Sequence, residues 1–431
     1  MKCRYYIKLF LFILMKSLFI SNYYAQVDTF FKKENISYLN FLSLVGKNNL
    51  TYSAEKFNLN IAEARISSAG IFPDPDLSFG CFDNGQRRMS MGYGFNSQLS
   101  WTMELGSKRK VRIELAKSEY ELTKYLLQDF FRNLRADATI FYLDAIQKKL
   151  LLNVQLTSYQ YMNLIAISDS IRFTLGSITK MDAIQSKLEA ATLLNDVYQA
   201  EAEWKSALVR LKILLGMKQS DTLLIPTGDF NRFDRDFNLQ ELIITALNNR
   251  TDLLAALQSK DVSQKLLKLA KANRVADLGL SAGILYASYT KNIIAPTPAF
   301  TNINASINLP LKFSNNRPGE LKQAYYNTIQ SELKYKQIEL QIETEIIQAY
   351  INYLSLKKQV QLFRNGMLTD AKSVLEGKIY SYQRGETSLL EVLNAQRTYN
   401  EIQKSYYITL FNYAVALVEL ERAAGIWDID F

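Results

Sequence analysis

The sequence predicts a mainly α-helical protein with a small β part, built from two similar halves. Three observations support this fold class. The 431 residues include only 17 Gly and 7 Pro, so few turns interrupt the chain. Two long stretches resemble each other at a spacing of about 209 residues. Four short segments alternate between apolar and polar residues with the period of two that is typical of β-strands.

The internal repeat keeps one spacing over a long stretch without a gap. Known solenoid repeats have periods of up to roughly 50 residues, so this spacing indicates a duplicated supersecondary block. Chance similarity between two helical segments is the alternative, and the aligned glycines at both ends argue against it. The pairs are Gly176 with Gly385, Thr179 with Ser388, Asp182 with Glu391, Tyr198 with Tyr407, Ala207 with Ala416, Leu211 with Leu420 and Gly216 with Gly425.

Each half contains two long helical segments. Apolar and small residues from Leu193 to Leu214 recur in steps of four and three, which is the coiled-coil period. Gly176 and Gly385 stand where one helix should end and the next begin, since Gly is common just past a helix end. We therefore expect two helical hairpins that turn at these glycines. Their helices are predicted over about 107–175 and 178–216, and over about 317–384 and 387–424.

Each half also contains two predicted strands, at about 76–83 and 95–105 and at about 277–288 and 301–311. Their alternation fits either a soluble sheet with one buried face or a membrane wall with a lipid face and a water face. Single-chain membrane barrels start at eight strands, and open sheet edges do not occur in lipid. If these strands lie in a membrane, several chains must contribute to one barrel.

The first 25 residues have the pattern of a secretory signal peptide. A basic start is followed by an apolar run from Leu9 to Ile20, and Ala25 marks a plausible cleavage point. A membrane anchor is the alternative, but the apolar run is too short to cross about 30 Å of hydrocarbon. Cleavage would remove Cys3 and leave Cys81 as the only cysteine.

The composition excludes most enzyme classes. The chain has no histidine, which removes Ser-His-Asp triads, Cys-His pairs and the HExxH zinc site. A carboxylate-only enzyme remains conceivable, but we predict no enzyme, no catalytic residue, no cofactor and no metal site. The formal charge of +9 is not gathered into one patch, so we expect no nucleic-acid partner.

Several motifs resemble those of one family, the TolC-like outer-membrane efflux proteins. The resemblance covers residues 37–426, and the entry and first exit motifs are most similar to the cation (heavy-metal) efflux branch. The motifs are a strand-entry segment at 69–77, strand-to-helix exits at 105–109 and 309–317, a second-hairpin turn at 382–396 and a closing helix at 417–425.

The resemblance implies a homotrimer with a twelve-stranded outer-membrane β-barrel, continued by a periplasmic α-helical tunnel. The implied function is the exit duct of a tripartite efflux pump, with outer-membrane lipid around it. The partners would be a periplasmic adaptor protein and an inner-membrane RND-type transporter. Metal cations are the expected substrate, and drugs or secreted peptides are the alternatives. A non-channel coiled-coil scaffold or an adaptor is a further alternative, although an adaptor should carry one hairpin.

The same resemblance implies a domain division and a gate. The repeats would occupy 26–216 and 241–426, with an equatorial linker at 217–240 and a tail at 427–431. In TolC-like ducts the tunnel narrows at the hairpin tips. The positions that match the family's acidic rings are Glu391 and Asn394, so one acid is kept and one is replaced by an amide. Asp182 and Tyr382 match residues that link hairpins, and Thr387 stands where the family pattern has an Arg partner.

Overall fold

The computed structural model describes residues 32–83, 91–218, 222–230, 233–311 and 317–429. The predicted signal peptide at 1–25 lies outside these ranges. Within them the fold class is mainly helical with a small β part, as the sequence predicts.

Both halves of the chain run through the same order of elements: one short strand, two helices, two strands, and a long helical hairpin. The first half contains β1 (Lys32–Ile36), α1 (Tyr38–Asn48), α2 (Leu50–Ala69), β2 (Asp76–Asp83), β3 (Tyr93–Met103), α3 (Lys108–Thr174) and α4 (Lys180–Leu214). The second contains β4 (Thr222–Pro226), α5 (Leu239–Asn249), α6 (Thr251–Ala272), β5 (Leu278–Ala287), β6 (Phe300–Asn308), α7 (Pro318–Leu362), α8 (Leu368–Gln383) and α9 (Leu389–Ala424).

The hairpin turns use the same device in both halves. Gly176 and Gly385 take left-handed backbone conformations, with φ of 74° and 78°, which glycine adopts without a steric penalty. Thr179 and Ser388 then occupy the N-cap positions of the following helices in extended conformations, although only the Thr179 side chain forms a capping hydrogen bond. The sequence thus ends one long helix and starts the next within a few residues.

The first helix of the second hairpin is broken, although the sequence predicts one helix over about 317–384. A π-type turn at Phe363–Met367 separates α7 from α8, and Gly366 within it has a φ of 129°. That backbone conformation is rarely open to a residue with a Cβ, so the glycine permits the break. The corresponding part of α3 is unbroken.

Four strands form one antiparallel sheet in the order β2-β3-β5-β6. Its central pair, β3 with β5, joins the two halves of the chain. Directly paired residues lie on the same face, so Leu77, Leu99, Ala282 and Ala305 share one face in a row across all four strands. Further apolar residues of this face are Phe79, Cys81, Phe95, Trp101, Leu280, Ile284, Ile303 and Ile307.

The opposite face of the sheet is polar in the rows nearer the helices. One row contains Ser78, Gln98, Gly283 and Asn304, and in the neighbouring row the hydroxyls of Ser281 and Ser306 form a 2.6 Å hydrogen bond. Only the row at the far end is apolar, with Phe82, Ala287 and Phe300. The sheet is therefore a wall with one apolar and one mostly polar surface. None of the helices in the described ranges is long and apolar enough to cross a membrane.

The stretch 217–240, expected to be an equatorial linker, contributes several of its described residues to the main core. It contains β4, which pairs in parallel with β1, and it buries Phe230 and Phe233. The buried Tyr142 of α3 ties this small sheet in place, because its hydroxyl donates to Ile36 O at 2.9 Å and accepts from Thr227 N at 3.0 Å. The core around it includes Tyr38, Phe41, Leu208, Leu211, Tyr353 and Tyr413.

The two halves have an equivalent contact between their short helices and the end of the second helix of their hairpin. Asn49, between α1 and α2, donates from Nδ2 to Leu214 O at 3.0 Å. Arg250, between α5 and α6, donates from Nη1 to Ala423 O at 3.0 Å. Each acceptor lies in the last turn of its hairpin, just before a glycine with positive φ. The duplicated backbone is therefore retained although the donor side chains differ.

The close packing at this junction predicts that a side chain at Gly216 would lower the stability of the protein. Its φ is 62°, and a Cβ built there would lie 2.3 Å from Asn48 O. We expect Gly216→Ala to destabilise the protein by at least about 1–2 kcal/mol, because left-handed strain adds to a backbone clash. Thermal unfolding of the purified protein measures the change. Gly319→Ala is the matched control, since nothing lies within 4 Å of that position. An equal effect of both substitutions would contradict the prediction.

Candidate functional site

A second, smaller core lies at the tips of the hairpins. It draws residues from all four tip helices, so it holds the two hairpins of one chain against each other. Its buried members are Met162 and Ala166 of α3, Ala190 and Leu193 of α4, Tyr382 of α8, and Leu389, Val392 and Leu393 of α9.

A buried hydrogen bond also joins the two hairpins here. The Tyr382 hydroxyl on α8 donates to Asp169 Oδ1 on α3 at 2.9 Å. Asp169 is completely buried, and burial raises the pKa of its carboxyl as well as the pKa of the Tyr382 phenol. The Arg172 guanidinium covers this pair, 4.9 Å from the centre of the Tyr382 ring and 3.8 Å from Asp169 Oδ1.

Within the single chain, Asp182 caps its own helix. It accepts from the backbone N–H of Thr179 at 3.4 Å, and its own N–H donates to the Thr179 hydroxyl at 3.2 Å. These two bonds form a capping box at the start of α4, which satisfies two backbone donors of the first turn. The acid that bonds to Tyr382, Asp169, is a residue that the sequence analysis did not single out.

The remaining predicted gate residues lie around the second turn. Glu391 is exposed on α9 and forms an ion pair with Lys378 of α8, with Nζ and Oε2 2.5 Å apart. The lysine lowers the pKa of the Glu391 carboxyl. Asn394 is exposed three residues further along α9, and Thr387 is half-buried just before that helix.

The repeat explains why the two tips differ. The offset of about 209 residues aligns Asp169 with Lys378 and Asp182 with Glu391. The second hairpin thus has a base and an acid facing each other across its turn, and they pair. The first hairpin has two acids at these positions, and each bonds to another residue: Asp169 to Tyr382 and Asp182 to Thr179. A further bridge, Arg397 to Glu189 at 3.0 Å, links α9 to α4 on the exposed side.

A cavity of about 570 Å³ opens between α3 and α8 beside the Tyr382–Asp169 pair. Three tyrosines line it together with apolar residues and Arg172. Nothing in it pairs a nucleophile with a base. No group of three or more acidic or cysteine side chains within the described ranges could hold a metal ion. The tip arrangement can fasten two hairpins together and present charge, and it has no catalytic chemistry.

Comparisons with known proteins find efflux proteins that are similar to this chain. Residues 242–426 match the family described as outer membrane efflux protein. The chain is 24% identical over 385 residues to the cobalt-zinc-cadmium resistance protein CzcC of Cupriavidus metallidurans, covering 89% of this chain and 88% of that protein. It is 22% identical over 354 residues to the outer membrane protein TolC of Vibrio cholerae, covering 78% and 76%.

Crystal structures of outer-membrane channels have the same fold. The Campylobacter jejuni CmeC outer membrane channel superimposes with a TM-score of 0.74 at 17% identity, over 89% of this chain and 84% of that one. CusC superimposes with a TM-score of 0.73 at 18% identity, over 90% and 91%.

The buried link between hairpins predicts a local loss of stability in Tyr382→Phe. The substitution leaves the buried Asp169 carboxylate without its donor, at a cost of about 1–3 kcal/mol. We expect amide hydrogen exchange in α8 and in the last turns of α3 to become about 5- to 150-fold faster. Tyr380→Phe is the control, because Tyr380 lies two residues away and is 54% exposed. Unchanged exchange in Tyr382→Phe would contradict the role given to this hydrogen bond.

Proposed function

We propose that this chain, which belongs to the TolC-like outer membrane efflux proteins, is the exit duct of a tripartite efflux pump. Members of the family are outer membrane channels rather than enzymes, and this chain is one of them. The proposal adds the assembly, the partners and the substrate.

The observation that carries the proposed assembly is a two-faced sheet whose edge strands, β2 and β6, have no outer neighbour among the described residues. An apolar face requires lipid or a core, and an open edge in lipid requires a further strand. Three chains bring twelve strands, so β6 of one chain can pair with β2 of the next and leave no edge. The six hairpins then form the periplasmic tunnel of a homotrimer.

The partners and the substrate follow by analogy. A duct that ends in the periplasm needs a periplasmic adaptor protein and an inner-membrane transporter, which we propose to be of the RND type. The similarity to a cobalt-zinc-cadmium resistance protein favours metal cations as the exported substrate. Loss of tolerance to cobalt, zinc and cadmium salts on gene deletion tests this choice. Loss of tolerance to drugs, or of peptide export, would favour the alternatives.

The assembly is tested by the two faces of β6. Ile303 lies on the apolar face near the middle of β6 and is 78% exposed in the single chain, whereas its neighbour Asn304 lies on the polar face. We expect Ile303→Arg to cost about 2–4 kcal/mol, because the middle of the strand lies near the bilayer midplane. Fewer trimers should then be recovered from outer membranes in mild detergent, as measured by mass. Asn304→Asp should assemble normally. Recovery of the unmodified protein as a soluble monomer would disprove the proposed duct.

The proposed gate is tested by ion selectivity. Three Glu391 carboxylates around the tunnel axis would favour cations and bind divalent ions through oxygen, while Lys378 opposes each of them. In single-channel recordings, Glu391→Gln should lower cation preference and block by divalent ions, and Lys378→Gln should raise both. Glu401→Gln, an equal loss of charge further along α9, should change little. Unaltered selectivity in both tip variants would exclude the ring.

A further inference from the structure

A cavity with a basic rim lies between the end of α6 and the start of α7. Its volume is about 360 Å³. Leu267 and Leu321 supply apolar walls, and the ring of Tyr325 stands beside them. The charged rim consists of Lys271, Arg274 and Lys322.

The position of this cavity relative to the sheet is well defined. Helix α6 ends a few residues before β5, and α7 begins shortly after β6. The helix-side ends of these strands are paired, with Gly279 opposite Asn308. All four strands of the sheet connect to helices at this one end. The cavity therefore lies at the boundary between the two-faced sheet and the helical part.

Three basic residues at this boundary are neutralised by acids. Lys108 pairs with Asp277 at 2.6 Å, Arg112 pairs with Glu104, and Arg317 pairs with Glu320 at 3.4 Å. Lys271 and Lys322 differ from them. Both are exposed, and within the described ranges neither forms an ion pair. Lys271 and Lys322 thus place on the rim positive charge that no acidic side chain in the described ranges balances.

We propose that this cavity binds the phosphate of an anionic phospholipid in the periplasmic leaflet of the outer membrane. The inference rests on the proposed function, because it places the sheet in that membrane. The two ammonium groups of Lys271 and Lys322 match a phosphodiester in charge and in donors. Leu267, Leu321 and Tyr325 form a wall for the glycerol and the first methylene groups.

A lipid fits this site better than a soluble anion because apolar surface continues toward the membrane. Leu309 and Leu311, which connect β6 toward α7, are 49% and 64% exposed. Ile307 precedes them on the apolar face of the sheet. Exposed apolar side chains on the membrane side of a basic pocket give acyl chains a surface to cover. A free phosphate compound would leave that surface in water.

Lipid retention by the assembled protein tests the inference. The purified complex is mixed with micelles containing phosphatidylglycerol or phosphatidylcholine, and bound lipid is counted by native mass spectrometry. We expect phosphatidylglycerol to be retained in preference to phosphatidylcholine. The double variant K271Q/K322Q should weaken that binding about 30-fold, because each lysine contributes a factor of roughly five. K180Q/K187Q, which removes two exposed lysines near the hairpin tip, should bind as the unmodified protein does.

Three outcomes would overturn the lipid site. They are equal retention of the two lipids, retention by K271Q/K322Q at the unmodified level, and displacement of phosphatidylglycerol by an equal concentration of glycerol 3-phosphate. Each of these would be measured on a complex that assembles in the membrane, so the proposed duct would stand. A protein that fails to reach the membrane would instead overturn the duct.

Discussion

The packing of each long helix against a neighbour along its length is the constraint on which the rest of the structure depends. Helix α3 has 67 residues, and only a minority of them are buried. Such a helix gains most of its stability from tertiary contacts along a narrow apolar stripe. In α4 this stripe contains Leu193, Val197, Trp204 and Leu211. These stripes are kept in register by the glycine turns and by the smaller core at the hairpin tips. The hydrogen bonds of Asn49 and Arg250 do the same at the other end of the hairpins.

The features that follow a simple period could be predicted from the sequence. The hairpins and the four-stranded sheet belong to this class, and comparison with known proteins confirms the family resemblance that their motifs indicate. The strands β1 and β4 could not be predicted, because five residues are too few to establish a period. The repeat also extends further toward the start of each half than a single spacing reveals. Near Asn49 and Arg250 the spacing falls to about 201 residues, because loops differ in length between the halves.

The tip residues show a different limit of sequence reasoning. Tyr382 and Glu391 could be found by position, but the partner of Tyr382 depends on how two hairpins meet. One signal was available: Met162, Ala166 and Asp169 follow steps of four and three, so a carboxylate stands in an apolar stripe. The break at Gly366 was harder to predict from the sequence, because Gly377 lies in the same segment and remains helical. An isolated glycine does not by itself decide between a tolerated position and a break.

The pairing of β3 with β5 also sets the order of folding. It joins Gly94 to Ala287, residues from opposite halves, whereas the first hairpin is complete by Leu214. Local contacts close at a lower entropy cost than distant ones, so the first hairpin can form while the second half is still entering the periplasm. The apolar face stays incomplete until both halves have arrived. A chain that would have to cross one membrane before entering another thus completes the apolar face of its sheet last.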